Sequence, residues 1–224
     1  MSGRRRDPAD RLYVVGVTGG TGTGKTTFVR RLAALGPAVV LDADRIGHDV
    51  LDVPAVAEAL ALAFGPDIVG SRGRVKRAIL GRRAFAGPEA LARLNAIVHP
   101  PLLLRLREAL DRLVVSGFEG LAVIDAALLV EWDLGTWCDR VVAVVAPAAA
   151  QIVRLVEERG LEVFEAEQRV ERQLPNEVRA SYADHVLENA GPREEFERDA
   201  DALAARLWVE ARAELARRGR ALPA

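Results

Sequence analysis

Cysteine, methionine and aromatic residues are all scarce in this chain of 224 residues, and neither sign of charge dominates. The single cysteine, Cys138, excludes an internal disulfide and indicates a reducing compartment, so we expect a cytoplasmic protein. Cys138 has no cysteine or histidine neighbour at metal-ligand spacing, and we expect it to serve packing or to lie at the surface.

The charges nearly cancel, with 31 basic and 32 acidic residues and a formal net charge of -1. This balance gives no support for a general nucleic-acid binder. No apolar run approaches the ~20 residues of a membrane span, so we expect neither a nucleic acid nor a membrane as partner. The segment 1–11 is basic and polar without an apolar centre, which predicts a frayed tail rather than a secretory signal.

The chain does contain a complete phosphate-binding loop. Residues Gly19 to Thr26 read G-G-T-G-T-G-K-T, which matches the pattern G-x-x-x-x-G-K-[ST]. In such a loop, glycines let successive N–H groups point at phosphate oxygens, Lys25 faces the β- and γ-phosphates, and the Thr26 hydroxyl suits Mg²⁺. The apolar run 12–17 predicts a buried strand before the loop, and apolar residues at helical spacing predict a helix after it.

The predicted architecture is α/β, with a mostly parallel sheet covered on both faces. Further strand candidates are separated by helical patterns: 38–41, 121–124, 141–145 and, more weakly, 185–187. Between Pro54 and Val115 the patterns predict several helices and no strand, with Pro88 opening one helix and Pro100-Pro101 the next. We expect this segment to be a helical insert that receives a second substrate. The arginine-rich segment 147–174 and the chain from Pro192 onward are also predicted to be helical.

Acidic residues end two of the predicted strands. If the second strand persists through Asp42-Ala43-Asp44, the two carboxylates point to the same side. In an open α/β sheet they would lie beside the phosphate loop, where one could accept a proton from an attacking hydroxyl. The alternative is that they are turn and capping residues. Asp125 ends the run 121–124 and resembles the acid that holds Mg²⁺ through water in NTPases.

Arginines of the segment 147–174 are candidates for closing over a triphosphate, with Arg154 the preferred one. An ordered set of motifs runs along the chain: Val15–Thr26, Leu35-Gly36, Asp42-Ala43-Asp44, Phe64-Gly65, Arg77, Leu80, Phe85, His99-Pro100, Asp125, Leu128-Leu129, Glu131, Gln151, Arg154-Leu155, Arg169, Gln173, Ala183-Asp184 and Asn189. Taken together, these motifs resemble the dephospho-CoA kinase family from about residue 12 to residue 207.

The resemblance implies transfer of the ATP γ-phosphoryl group to the 3′-hydroxyl of dephospho-CoA, with Mg²⁺, on a three-layer nucleoside-kinase-like P-loop NTPase fold. It implies a nucleotide-binding core (12–53, 116–146 and 183–217), a helical CoA-binding insert (54–115) and a lid (147–182). The implied site residues are catalytic Asp44, Lys25 and Arg154; nucleotide-binding Gly20, Thr21, Gly22, Thr23, Gly24, Lys25, Thr26 and Thr27; substrate-binding Asp42, Arg77, Phe85, His99 and Leu128; and metal-binding Thr26 and Asp125.

Three positions depart from the family pattern: Lys76, Ala127 and Glu158. They affect the expected CoA pocket and lid and leave the phosphate chemistry intact. Three other interpretations stay open, namely another P-loop small-molecule kinase, a regulatory NTPase and a protein that only binds nucleotide. A GTPase is disfavoured because the chain lacks an N-K-x-D motif. We expect a monomer or a weak homo-oligomer.

Overall fold

Five strands form one sheet in the order β2-β3-β1-β4-β5, and the computed structural model describes residues 12–219. The expectation of a frayed tail at 1–11 concerns residues outside this range. The strands are β1 (Tyr13–Gly19), β2 (Ala38–Asp42), β3 (Leu121–Asp125), β4 (Arg140–Val145) and β5 (His185–Glu188). The pairs β1–β3, β1–β4 and β4–β5 are parallel. All five predicted strands are therefore confirmed, including the weak one.

Nine α-helices are described, and none is long and apolar enough to cross a membrane. They are α1 (Lys25–Ala34), α2 (Ala43–Leu51), α3 (Pro54–Phe64), α4 (Arg77–Ala84), α5 (Pro88–Val115), α6 (Ala148–Arg159), α7 (Val163–Glu171), α8 (Asn176–Ser181) and α9 (Arg193–Arg217). Helices cover the sheet in the arrangement of a three-layer α/β protein.

One face of the sheet packs against α1 and α9. Alternate residues of β1, namely Tyr13, Val15 and Val17, enter this core together with Phe28 and Leu32 of α1. The period of two along the strand turns these side chains to the same face. The contribution of α9 is its apolar stripe, and Trp208 also donates from Nε1 to the carbonyl oxygen of residue 32 at 2.9 Å. Burial of each Leu or Phe side chain stabilises the folded state by about 1.5–3 kcal/mol. This layer therefore holds β1 and α1, the two elements that flank the phosphate loop.

One of the helix predictions is wrong in detail. Pro100-Pro101 was expected to open a new helix, but both prolines lie inside the single helix α5. A proline inside a helix removes a main-chain hydrogen bond. Leu102 and Leu106 continue as a fully buried i, i+4 stripe past the prolines, and their packing offsets that loss. The predicted helical segment 147–174 contains two helices, since Gly160 ends α6 in the left-handed conformation at φ 65°.

The described residues divide into two compact units, one of residues 12–41 with 110–219 and one of residues 42–109. The sheet and its covering helices α1 and α6–α9 belong to the first unit. The second unit contains α2–α4 and the larger part of α5. An isolated antiparallel bridge between Val69 and Val75 also lies in this unit.

Candidate functional site: a phosphate-binding loop and its supports

The phosphate loop connects the end of β1 at Gly19 to the start of α1 at Lys25. Gly22 and Gly24 adopt positive φ angles of 72° and 96°, which L-residues with a Cβ rarely adopt. A Cβ on Gly24 would also lie 2.6 Å from Nδ2 of Asn189 and 2.9 Å from the ring of Phe196. Glycine at position 24 is therefore required both by the backbone conformation and by the close approach of two neighbouring side chains.

The first turn of α1 is suited to bind an anion. Gly24 is the N-cap residue and supplies no side-chain hydrogen bond to the helix. The N–H groups at the start of a helix have no intrahelical acceptor, and the helix dipole adds positive potential there. Lys25 and Thr26 begin this helix, with the Thr26 side chain exposed. The predicted combination of strand, glycine loop and helix is thus present, and it forms a site for phosphate groups.

Lys25 and Asp125 form an ion pair in which each side chain is only 14% exposed. The register of the sheet explains their proximity, because Val17 of β1 lies opposite Asp125 of β3, just before the loop. Asp125 therefore lies at the carboxyl end of β3, and Lys25 follows the loop that leaves the carboxyl end of the neighbouring strand β1, where open α/β sheets bind ligands. The ammonium group can interact with a phosphate, and the carboxylate can organise a hard cation.

Side chains from three other elements hold three consecutive residues of the loop. Oε1 of Gln173, which follows α7, accepts the N–H of Thr21 at 2.6 Å. Arg154 of α6 donates to the carbonyl oxygen of Gly22 at 2.9 Å. Asn189, which follows β5, donates from Nδ2 to the carbonyl oxygen of residue 23 at 2.9 Å. The main chain of the loop is thus fixed from outside.

Arg154 and Asn189 also bind each other. Nη2 of Arg154 donates to Oδ1 of Asn189 at 2.8 Å and to its carbonyl oxygen at 3.0 Å. The arginine that the sequence nominated for the triphosphate therefore lies against the loop, and its guanidinium is already positioned by an amide. Asn189 thus donates to the loop through Nδ2 and accepts from Arg154 through Oδ1. An asparagine side chain, with one donor and one acceptor group, can make both hydrogen bonds.

Asp42 and Asp44 do not alternate along a strand as expected. β2 ends at Asp42, and α2 begins at Ala43. Asp42 is the N-cap of α2 and accepts the N–H of Arg45 at Oδ1 over 2.8 Å, so the strand does not persist to Asp44 and Asp42 is a capping residue, as the alternative interpretation expected. The physical reason is that a cap hydrogen bond turns the chain into a helix directly after the strand. Asp44 lies in the first turn of α2 and is partly buried.

The residues expected to bind the acceptor lie at different places in the fold. In the unit 42–109, Arg77 is the first residue of α4 and donates to the carbonyl oxygen of His48 at 3.3 Å. Phe85 follows α4 and is 64% exposed, while His99 is partly buried inside α5. Leu128 belongs to the unit of the phosphate loop and is 37% exposed, three residues after Asp125.

The groups with shifted pKa values lie away from the phosphate loop. Burial raises the pKa of Tyr13, the first residue of β1, to about 12. Burial also lowers the pKa of His185, the first residue of β5, and Glu210 opposes that shift only in part. Both lie at the amino ends of parallel strands, opposite the loop. The shifted pKa values of Tyr13 and His185 therefore report burial rather than the candidate active site.

Sequence reasoning missed one residue of this site. Arg179 of α8 is 1% exposed and donates to Oγ1 of Thr18, which immediately precedes the phosphate loop. Its local sequence, in a short polar helix, is typical of a surface position, and no periodicity marks it as buried. Gln173 and Asn189 appeared only as members of the family pattern, with no role assigned.

The comparisons with known proteins agree with this geometry. Residues 13–195 match the family model described as dephospho-CoA kinase. A dephospho-CoA kinase of Thermobifida fusca is 40% identical over 202 residues, which cover 89% of this chain and 96% of the relative. That of Anaeromyxobacter dehalogenans is 42% identical over 198 residues, covering 88% of this chain and 92% of the relative.

Solved structures show the same likeness. The crystal structure of TT1252 from Thermus thermophilus has a TM-score of 0.72 and 32% identity, and covers 88% of this chain and 98% of its own. The dephospho-CoA kinase from Campylobacter jejuni has a TM-score of 0.56 and 21% identity, with the same two shares of coverage, and this likeness supports the fold.

Proposed function

Because the chain belongs to the dephospho-CoA kinase family, we propose that it transfers the γ-phosphoryl group of ATP to the 3′-hydroxyl of dephospho-CoA and so makes coenzyme A. The observation that carries this proposal is the family match over residues 13–195, which includes an intact phosphate loop with Lys25 beside Asp125. Phosphoryl transfer requires mainly positioning and charge stabilisation, and these groups can supply both.

The loop residues 20–27 are the proposed binding site for the ATP phosphates. The fit is supported by the uncapped first turn of α1 and by the absence of a side chain at Gly24, where any Cβ would crowd the loop. Lys25 would neutralise charge on the β- and γ-phosphates. Arg154 is proposed to add positive charge from the side of α6, where it already contacts Gly22.

Thr26 and Asp125 are the proposed ligands of Mg²⁺. The described residues contain no group of three or more His, Cys, Asp or Glu that could hold a metal alone. That finding fits Mg²⁺, which is usually held by one or two protein oxygens together with substrate phosphates. A hydroxyl and a carboxylate are the hard oxygen donors that this ion prefers. The bound ion would supply charge stabilisation for the transferring phosphoryl group.

Asp44 is the proposed base that orients or deprotonates the acceptor hydroxyl, and Asp42 is proposed to bind substrate and to support the metal site. The support is the placement of Asp44 in the first turn of α2, directly after the carboxyl end of β2. The Asp42 side chain holds this turn through its bond to Arg45, so the position of Asp44 follows from the cap.

The segment 54–115, with Arg77, Phe85 and His99, is proposed to bind the CoA side of the acceptor together with Leu128. The segment 147–182 is proposed to act as the lid.

The proposed compartment is the cytoplasm, for which the support is the single buried thiol Cys138. Sedimentation at micromolar concentration tests the proposed monomer or weak homo-oligomer.

The direct test is an acceptor assay with the full chain. Enzyme, Mg-ATP and dephospho-CoA are incubated, and coenzyme A is detected by mass. A 3′-deoxy analogue of dephospho-CoA is the control for the position of transfer, and we expect no product from it. Lys25→Ala should abolish turnover, whereas Arg193→Ala, at an 82% exposed side chain of α9, should retain it.

Two results would contradict the proposal. Absence of coenzyme A alongside brisk phosphorylation of a nucleoside or of shikimate would show a different small-molecule kinase. Strong hydrolysis of nucleotide that does not depend on an acceptor would favour a regulatory NTPase.

A further inference from the structure

The buried polar side chains are concentrated around the phosphate loop. Among residues 12–219, the polar or charged residues that are buried are Thr18, Thr23, Gln151, Arg179 and Asn189. Thr23 belongs to the loop, Thr18 precedes it directly, Gln151 and Asn189 lie against it, and Arg179 lies against Thr18. Burying a polar group is unfavourable unless it is hydrogen-bonded. The hydrogen bonds of these buried side chains therefore hold the phosphate loop and its surroundings in place.

Arg179 is the one charged member of that set. Its Nη1 donates to Oγ1 of Thr18 at 2.9 Å and to the carbonyl oxygen of Ala127 at 2.5 Å. The Thr18 hydroxyl itself donates to the carbonyl oxygen of Ala127 at 3.3 Å. The guanidinium, the Thr18 hydroxyl and the Ala127 carbonyl group therefore form one hydrogen-bonded network, which joins the end of β1 to the segment that follows Asp125.

Two further contacts fix the guanidinium itself. Nε of Arg179 donates to the carbonyl oxygen of Leu174 at 3.4 Å, and Nη2 lies 3.9 Å from Oε1 of Glu131. Glu131 thus supplies the countercharge that a buried cation needs. A planar fork with several N–H donors can serve these separate directions at once, whereas the single ammonium of a lysine cannot.

From these contacts we propose, on the basis of the proposed function, that Arg179 is a positioning residue for the nucleotide site. It holds the entrance of the loop at Thr18 and the carbonyl group two residues after Asp125 in one fixed arrangement. Thr18 follows Val17, which lies opposite Asp125 in the paired strands β1 and β3, and Asp125 forms the ion pair with Lys25. Arg179 acts through these residues and touches neither nucleotide nor acceptor.

A purely structural arginine and a positioning arginine differ in what their loss changes. Arg179→Met keeps the length of the side chain but removes its charge and its donors. Since charge-assisted hydrogen bonds fix the loop entrance, we expect the affinity for Mg-ATP to fall about tenfold and kcat to fall with it. The KM for dephospho-CoA should change less than the Mg-ATP affinity, because Thr18 adjoins the phosphate loop while Ala127 only adjoins the proposed acceptor residue Leu128.

Two further variants and one control accompany Arg179→Met. Arg179→Lys keeps the charge and should recover part of the Mg-ATP affinity. Thr18→Val removes the hydroxyl from the network at nearly constant volume and should weaken Mg-ATP binding in the same direction. Arg193→Met, at an exposed arginine paired with Glu197, is the matched control and should bind Mg-ATP as wild type does.

The experiment titrates Mg-ATP into each full-length variant by calorimetry and measures both KM values and the melting temperature. Thr18→Val combined with Arg179→Met should be clearly non-additive in Mg-ATP affinity, since both break one network. Wild-type affinity in Arg179→Met with only a lower melting temperature would overturn the inference, as would additive effects. If Arg179→Met does not fold, Thr18→Val decides by the same binding measurement.

Calorimetry needs no acceptor, so failure of the proposed function can be told apart from failure of this inference. A wild-type protein that binds Mg-ATP but makes no coenzyme A would contradict the proposed function alone.

Discussion

Gly24→Ala tests how tightly the phosphate loop is held. The new Cβ would lie 2.6 Å from Nδ2 of Asn189 and 2.9 Å from the ring of Phe196, at a backbone φ of 96°. The left-handed conformation costs an L-residue roughly 1–2 kcal/mol. Crowding a packed site costs about 1–3 kcal/mol more. We therefore expect the free energy of unfolding to fall by roughly 2–5 kcal/mol, the sum of those two costs.

Gly117→Ala is the matched control in the same unit. Gly117 has a similar positive φ of 70°, and a Cβ there would meet nothing within 4 Å. In this variant only the left-handed conformation should lower the free energy of unfolding. Chemical denaturation should therefore give free energies of unfolding for the two variants that differ by about 1–3 kcal/mol, the cost of crowding. Gly24→Ala should also weaken Mg-ATP binding, because its Cβ displaces the loop, while Gly117→Ala should not. Equal stability of the two variants with wild-type nucleotide affinity in both would refute the close approach of Asn189 and Phe196.

The remaining predictions concern the proposed base and a buried histidine. Asp44→Asn should chiefly lower kcat and leave the KM for ATP nearly unchanged, as steady-state kinetics would show; full activity would remove Asp44 from the role of base. Burial lowers the pKa of His185 below its usual 6.5, so the folded state favours the neutral imidazole. Below pH ~6.5 the unfolded chain binds the extra proton, and stability should fall as the pH falls. Denaturation at pH 7.5 and 5.5 should show a smaller loss in His185→Gln than in wild type, and an equal loss would contradict this reasoning.

The strands and the phosphate loop were predictable because their signals are local. A buried parallel strand appears as a short run of apolar, β-branched residues, and the segments 121–124 and 141–145 have this form. The loop is marked by glycines that its backbone requires, as the φ of Gly24 shows. Asp125 was predictable as well, because it ends a strand that the sheet places beside the loop.

The errors arise where tertiary packing decides the local structure. Proline normally ends a helix, yet α5 continues through Pro100-Pro101 because the leucines beyond them remain buried. At Asp42 a cap hydrogen bond replaced the expected strand alternation. Arg179 could not be found from the sequence, because its partners Thr18 and Ala127 are distant in the chain and nothing in its own helix indicates burial.

A single-turnover experiment with ATP labelled by ¹⁸O at the γ-phosphoryl group tests the central claim most directly. With enzyme in excess over dephospho-CoA, the label should appear in coenzyme A at its 3′-phosphate, with one ADP formed for each coenzyme A. Labelled inorganic phosphate together with unchanged dephospho-CoA would contradict the account.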